Sequence, residues 1–220
     1  MQRADLKITP FPNQRRSVIA VKFPRKRLEA RELAIELTRK SIHLLIAFVP
    51  LLLSLSKPLT VFLLGAGSAA YLLFEHLRMQ GIRVFLISDL TARAARLRDA
   101  GRFVAGPITL GLGALAAILL FEPIPASIAV YILAFGDSFS SLVGKLIGRI
   151  KLPFTQGKSL EGSVTCFIMS LFSAYMVSRQ LGPSILIALG STVAEAIPTK
   201  DLDNIILPIV SGFLATLILA

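Results

Sequence analysis

Apolar residues in this chain gather in long runs, without the strict alternation of strands or the narrow stripe of surface helices. Runs at 40–56, 58–77, 104–121, 124–146, 161–180, 183–198 and 203–220 approach the roughly 20 residues that a helix needs to cross a bilayer. The pattern predicts an all-α fold, a polytopic transmembrane bundle of about seven spans. Pro58, Pro107, Pro125 and Pro183 stand near the starts of runs, where a missing backbone N–H costs least. The first and sixth runs are short, so one of them is expected to be tilted, broken or partly inserted. Neither an internal repeat nor a low-complexity segment is present.

Ahead of the first run the chain is polar and basic. Residues 1–24 carry two short alternating stretches, Leu6-Lys7-Ile8-Thr9 and Ser17-Val18-Ile19-Ala20-Val21, around Pro10, Pro12 and Asn13. They fit a small β-hairpin or a basic tail. Residues 25–40 favour a helix with Leu28, Leu33, Ile35 and Leu37 on its apolar face, suited to lying at the membrane surface. A second basic helix is expected from Thr91 to Arg102, on the inner leaflet. Charge and proline over the first 40 or so residues argue against a signal peptide. The expected division is a basic cytosolic segment, 1–38, and a transmembrane domain, 39–220.

Composition strengthens the membrane reading. The chain is 54% hydrophobic with a mean hydropathy of +0.72, and its net charge is +11. A cytosolic N-terminus puts all but Lys57 and Arg179 of the 24 Lys and Arg on the inner side, as the positive-inside rule demands. The basic charge is thereby accounted for by the bilayer. With no Trp and no zinc-type spacing, nothing suggests a nucleic-acid partner. The single cysteine, Cys166, falls inside an apolar run and reads as a packing residue.

Acidic residues follow the same asymmetry, with Glu122 alone of 13 on the outer side. Asp137 lies within an apolar run, and a carboxylate at membrane depth usually marks function. On a helix it shares a face with Ser141 and Lys145. Gly157-Lys158-Ser159 then opens the next helix, where an N-terminus and a lysine attract phosphate. The Walker A loop is excluded, because Leu152 stands where its first glycine is required. Asp137 and Asp203 could ligate Mg²⁺ alongside substrate phosphates, although Asp203 could equally cap its helix. Glu195 is open as base, metal ligand or packing residue. Glu75 and Arg78, at i and i+3, read first as an ion pair, with Arg78 also a candidate phosphate contact. His43 could take a proton or touch phosphate. Ser138, Ser140 and Ser141 could bind substrate oxygens or pack helices, and Gly144, Gly148 and Gly162 allow close approach.

Phe135-Gly136-Asp137-Ser138, Gly144-Lys145-Leu146-Ile147-Gly148-Arg149, Gly157-Lys158-Ser159-Leu160-Glu161-Gly162-Ser163, and then Glu195, Pro198, Asp203-Asn204 and Pro208 resemble the CTP-dependent lipid kinases. That family comprises dolichol, phytol, farnesol and CTP-dependent diacylglycerol kinases, and is related to the phosphatidate cytidylyltransferases. Arg39-Lys40-Ser41-Ile42-His43 and Glu75-His76-Leu77-Arg78 look like its earlier elements. The resemblance covers residues 39–208 and implies transfer of the CTP γ-phosphate to a lipid alcohol with Mg²⁺. It maps Asp137 to the acidic site residue, Lys158, Ser159, Glu161 and Gly162 to the nucleotide-side loop, and Asp203-Asn204 to the late acidic motif.

The expected protein is an integral membrane enzyme of a cell or ER-type membrane, active on the cytosolic side. Asp137, Asp203 and Asn204 would hold the metal. Lys145, Lys158 and the following helix N-terminus would offset phosphate charge. Glu161 or Glu195, or else His43, would accept the alcohol proton. The rivals are a CTP-dependent cytidylyltransferase and, in another class, an ion-coupled transporter. Dolichol, a C15–C20 prenyl alcohol and diacylglycerol all fit as acceptor, and a homo-oligomer is allowed.

Overall fold

A computed structural model describes residues 25–82, 102–155, 157–199 and 202–220, with side chains from residue 32 onward. It is an all-α bundle. The helices are α1 (Arg25–Leu45), α2 (Val49–Leu55), α3 (Lys57–Met79), α4 (Gly106–Leu120), α5 (Pro123–Tyr131), α6 (Asp137–Leu146), α7 (Leu160–Ser178), α8 (Leu181–Ala196) and α9 (Asp203–Leu219). A tight helical turn, Ile46–Phe48, links α1 to α2, and a wide π-type turn, Ile132–Gly136, links α5 to α6. Each predicted run is helical. Four segments, Glu32–Leu55, Lys57–Met79, Pro123–Leu146 and Leu160–Ser178, are long and apolar enough to cross a membrane; α4, α8 and α9 are shorter apolar helices. The hairpin expected in 1–24, most of the basic helix at 91–102 and the Leu28 side chain lie outside the described residues.

The core is built of small and branched side chains. Ala114, Ala117, Ala126, Ala129, Val130 and Leu133 form one apolar cluster, and Ile128, Ile132, Ala174, Ile187 and Leu207 a second. Alanines at the helix contacts let backbones come close, the usual packing of helices in lipid. Large apolar residues such as Leu55, Phe62, Leu119, Phe213 and Leu217 point outward and are exposed. In a soluble protein this surface would be a liability; against acyl chains it is the expected exterior.

The first helix departs from expectation. Residues 25–40 are helical as expected, and the helix continues without a break to Leu45. Its buried face is polar, consisting of Glu36, Lys40 and His43, while Leu37 is 46% exposed. The physical reason is the solvent. In lipid an apolar side chain gains nothing by burial, whereas a charged one must find partners inside the bundle.

Two close crossings fix the polar end. Pro208 sits within α9 and has no N–H to give to the carbonyl of Asn204. α4 approaches there: a Cβ on Gly113 would lie 1.9 Å from that oxygen. Likewise a Cβ on Gly148 would meet Gly144 O at 2.2 Å and Ser159 Oγ at 2.4 Å, and one on Gly162 would meet Ser140 O at 2.9 Å. Gly113→Ala is therefore expected to push α4 from α9 and destabilise the bundle by ~1–3 kcal/mol. Gly65→Ala, inside α3 with nothing within 4 Å of its added Cβ, is expected to keep or slightly raise stability, by up to ~1 kcal/mol. Thermal unfolding of both variants in detergent micelles checks this.

Candidate active site

At the end of the bundle where α6 and α8 finish and α7 and α9 begin, a cavity of about 450 Å³ opens among polar groups. Such a volume falls within the usual range of small-molecule sites, about 300–1,000 Å³. Glu36 enters from α1; Asp137, Ser140, Ser141, Gly144 and Lys145 from α6; Gly148, Lys151, Gly157 and Lys158 from the connecting loop. Ser159, Gly162 and Ser163 at the start of α7, Glu195 at the end of α8 and Asp203 at the start of α9 complete the lining. Residues far apart in sequence thus meet because helix ends alternate across the bundle.

Asp137 is aimed by the turn before it. Each helical residue rotates by about 100°, so the extra residue of a π-type turn redirects everything that follows. Its carboxylate is buried and receives Lys40 Nζ at 2.5 Å, with His43 Nε2 at 3.3 Å. His43 Nε2 also lies 2.8 Å from Asn204 Oδ1, and the Asn204 amide nitrogen donates to Thr109 Oγ1 at 2.9 Å and to Gly106 O at 3.3 Å. Lys40, His43 and Asn204 therefore form a layer behind Asp137 and do not line the cavity.

Around the opening, charges alternate. Lys145 Nζ donates to Glu36 Oε2 at 2.7 Å, and Arg39 approaches the same oxygen at 3.4 Å. Lys158 Nζ reaches Glu195 Oε1 at 2.9 Å and also the Glu195 carbonyl. Ser140 Oγ donates to Glu195 Oε1 at 3.3 Å, and Glu195 Oε2 is buried without a hydrogen-bond partner. Gly157 has a φ of 98°, a backbone angle at which a side chain is disfavoured; it turns the chain so that Lys158 faces inward. Ser159 Oγ accepts from Gly162 N at 3.2 Å, capping α7 as well as lining the cavity.

Several expected residues have other placements. Glu161 Oε1 accepts the N–H groups of Arg149 and Ile150 at 2.8 and 3.3 Å and is not in the cavity lining; it shapes the loop. Arg78 makes a two-pronged contact with Glu75 at 2.6 and 2.7 Å and donates to Arg102 O, also away from the cavity lining. The ion pair expected of Glu75 and Arg78 is formed. Asp203 lines the cavity and accepts from Asn204 N at 3.0 Å; it is the first residue of α9 and not its N-cap, a position held by Leu202. Ser138 Oγ is buried without a partner.

Sequence reasoning missed Glu36 and Lys151, and took Lys40 only as part of the Arg39–His43 element without giving it a role. The spacing of Glu36, Lys40 and His43 at i, i+4 and i+7 was a signal, since it aligns them on one helical face.

Among the described residues no group of three or more His, Cys, Asp or Glu side chains could hold a metal by itself. Asp137 and Asp203 nonetheless border one cavity. Mg²⁺ commonly takes one or two carboxylates and completes its shell with substrate phosphates and water. The donor set fits that arrangement and no all-protein cage.

Comparison with known proteins gives the family context. Over 172 residues, covering 70% of this chain and 56% of the relative, the sequence is 29% identical to a probable chloroplastic phytol kinase of Zea mays. It is 34% identical over 132 residues to one of Triticum aestivum, covering 51% of this chain and 44% of the relative. It is 31% identical over 157 residues to one of Oryza sativa subsp. japonica, covering 63% and 50%. This chain is similar to proteins named phytol kinases. The resemblance to lipid kinases carried by the Asp137 and Lys158 motifs points the same way. The chain spans about half the length of the curated phytol kinases it matches. No family model matches it, and no solved structure does.

The Lys40–Asp137 pair generates a stability prediction. Lys40→Met leaves a buried carboxylate without its cation and is expected to cost ~3–5 kcal/mol, whereas Lys40→Met with Asp137→Leu recovers most of that loss. Unfolding in micelles of the single and double variants measures the difference.

Proposed function

We infer that the chain is a lipid kinase that moves the γ-phosphate of CTP to the hydroxyl of a prenyl alcohol of the phytol class. The observation that carries this reading is the mixed charge of one cavity: Lys145, Lys151 and Lys158 beside Asp137, Glu195 and Asp203. A pocket for phosphate alone needs cations, and a pocket for metal alone needs carboxylates. A metal–triphosphate complex calls for both. The relatives named phytol kinases support the acceptor class, and the motif resemblance supports CTP.

Position supports the reading as well. The buried charged side chains among the described residues, Glu36, Lys40, Glu75, Asp137 and Glu195, gather where helix ends meet, and the polar groups buried elsewhere in the bundle are uncharged hydroxyls such as Ser184, Ser191 and Ser211. An ion path would need such groups across the full membrane depth. A lipid alcohol with its tail in the bilayer presents its hydroxyl at the headgroup level, on the inner, positively charged side.

Phosphoryl transfer is mostly positioning and charge stabilisation. Asp137 and Asp203 would hold Mg²⁺, which when bound supplies charge neutralisation on the triphosphate. Lys145 and Lys158 would leave their carboxylate partners to meet phosphate oxygens. Release of Lys158 frees Glu195, whose second oxygen already lacks a partner, to accept the alcohol proton. Lys40 and His43 would keep Asp137 ionised and oriented from behind.

The deciding experiment supplies reconstituted protein with CTP labelled at either the γ or the α position and a panel of phytol, geranylgeraniol, dolichol and diacylglycerol. Label is expected in lipid from the γ position only. Transfer from the α position would identify a cytidylyltransferase instead. Asp137→Asn is expected to abolish transfer with membrane insertion intact, and Glu195→Gln to slow it by ~10²–10⁴-fold. Full turnover by either variant removes that residue from its role.

A further inference from the structure

The loop 147–159 joins two segments long and apolar enough to span a membrane, Pro123–Leu146 and Leu160–Ser178, so both of its ends sit at one membrane boundary. Its described residues are held by hydrogen bonds. Lys151 pairs with Ser159 in an antiparallel bridge, Leu152 N donates to Lys158 O at 2.9 Å, and Leu160 N donates to Ile150 O at 2.9 Å. Glu161 fastens the other side through the N–H groups of Arg149 and Ile150.

One part of this small hairpin, Lys151, Gly157 and Lys158, borders the cavity. Its tip is Phe154, 96% exposed with a φ of 63°. A bulky residue rarely adopts that backbone angle, and here the angle holds an aromatic ring clear of the protein. Ile147 and Ile150 are exposed as well, at 61% and 58%, with exposed Arg149 and Lys151 interleaved. Apolar side chains such as Phe and Ile bury at the boundary between headgroups and acyl chains, and basic side chains there are drawn to anionic lipid. The patch is continuous in sequence with the apolar exteriors of α6 and α7, whose adjoining Leu146 and Leu160 are exposed too.

We propose that the 147–159 hairpin is an interfacial anchor, with Phe154 seated at the boundary between headgroups and acyl chains, Ile147 and Ile150 beside it, and Arg149 on anionic lipid. Bilayer contact then holds the loop so that Lys151 and Lys158 stay over the cavity. The anchor does not depend on which reaction the cavity performs.

Because the chain contains no Trp, Phe154→Trp installs a single fluorophore at the tip. In vesicles of phosphatidylcholine with phosphatidylglycerol, its emission is expected to be blue-shifted. Lipids brominated near the headgroup end of the acyl chain should quench most of it, lipids brominated at the chain end far less, and aqueous acrylamide little. Ile150→Trp, a second reporter on the same hairpin, should behave alike, while Phe172→Trp within α7 should answer most to the deep bromines. Emission from Trp at 154 and at 150 that acrylamide quenches fully and neither lipid quenches would overturn the proposal.

Discussion

A carboxylate enclosed in an apolar helical bundle needs a cation, and the pairing of Asp137 with Lys40 meets that need. Without it, the desolvation of a buried charge would oppose the assembly of α1 with α6. The same contact recruits the rest of the layer, since His43 touches both Asp137 and Asn204, and Asn204 reaches α4 through Thr109 and Gly106. Four helices are thereby tied together by hydrogen bonds behind one acidic group. The polar end is held by charged and amide contacts, and the remainder by close packing of small residues together with serine hydrogen bonds such as Ser191 to Ser211. This division suits a bundle in lipid, where apolar contact between helices carries no hydrophobic gain.

That layer also separates two kinds of polar residue. Behind Asp137, donors and acceptors are mutually satisfied and buried, as fixed scaffolding requires. In front, Lys145 and Lys158 hold carboxylates while bordering open space, an arrangement that a charged ligand could exchange into. Glu195 marks the border between the two, with one oxygen engaged by Lys158 and Ser140 and the other unpartnered. The glycines of the α6–α7 crossing serve the cavity indirectly: they bring the start of α7 against α6, so that Ser159 and Gly162 stand beside Ser140 and Gly144.

Much of this was legible in the sequence. All seven apolar runs became helices, because run length and composition respond to a bilayer-scale constraint that needs no tertiary information. The i, i+4, i+8 relation placed Asp137, Ser141 and Lys145 on one face, and all three line the cavity. Glu75 and Arg78 paired as their local spacing required. Glu161 and Arg78 differ: each carries the chemistry expected of a site residue, yet backbone N–H groups and Glu75 respectively claim them. Sequence spacing gives reach along one helix but says nothing of which loop folds back onto a carboxylate.

The first helix marks the boundary most clearly. Its propensity and its amphipathic period were readable from the chain, but the direction of its polar face was not, since period alone cannot tell which side meets lipid. Fold class and the positions of the apolar helices are properties of the sequence itself, because each follows from local transfer free energies summed along the chain. The partners of Asp137 and the retreat of Asn204 behind the cavity belong to the tertiary structure, because each depends on contacts between segments about a hundred residues or more apart.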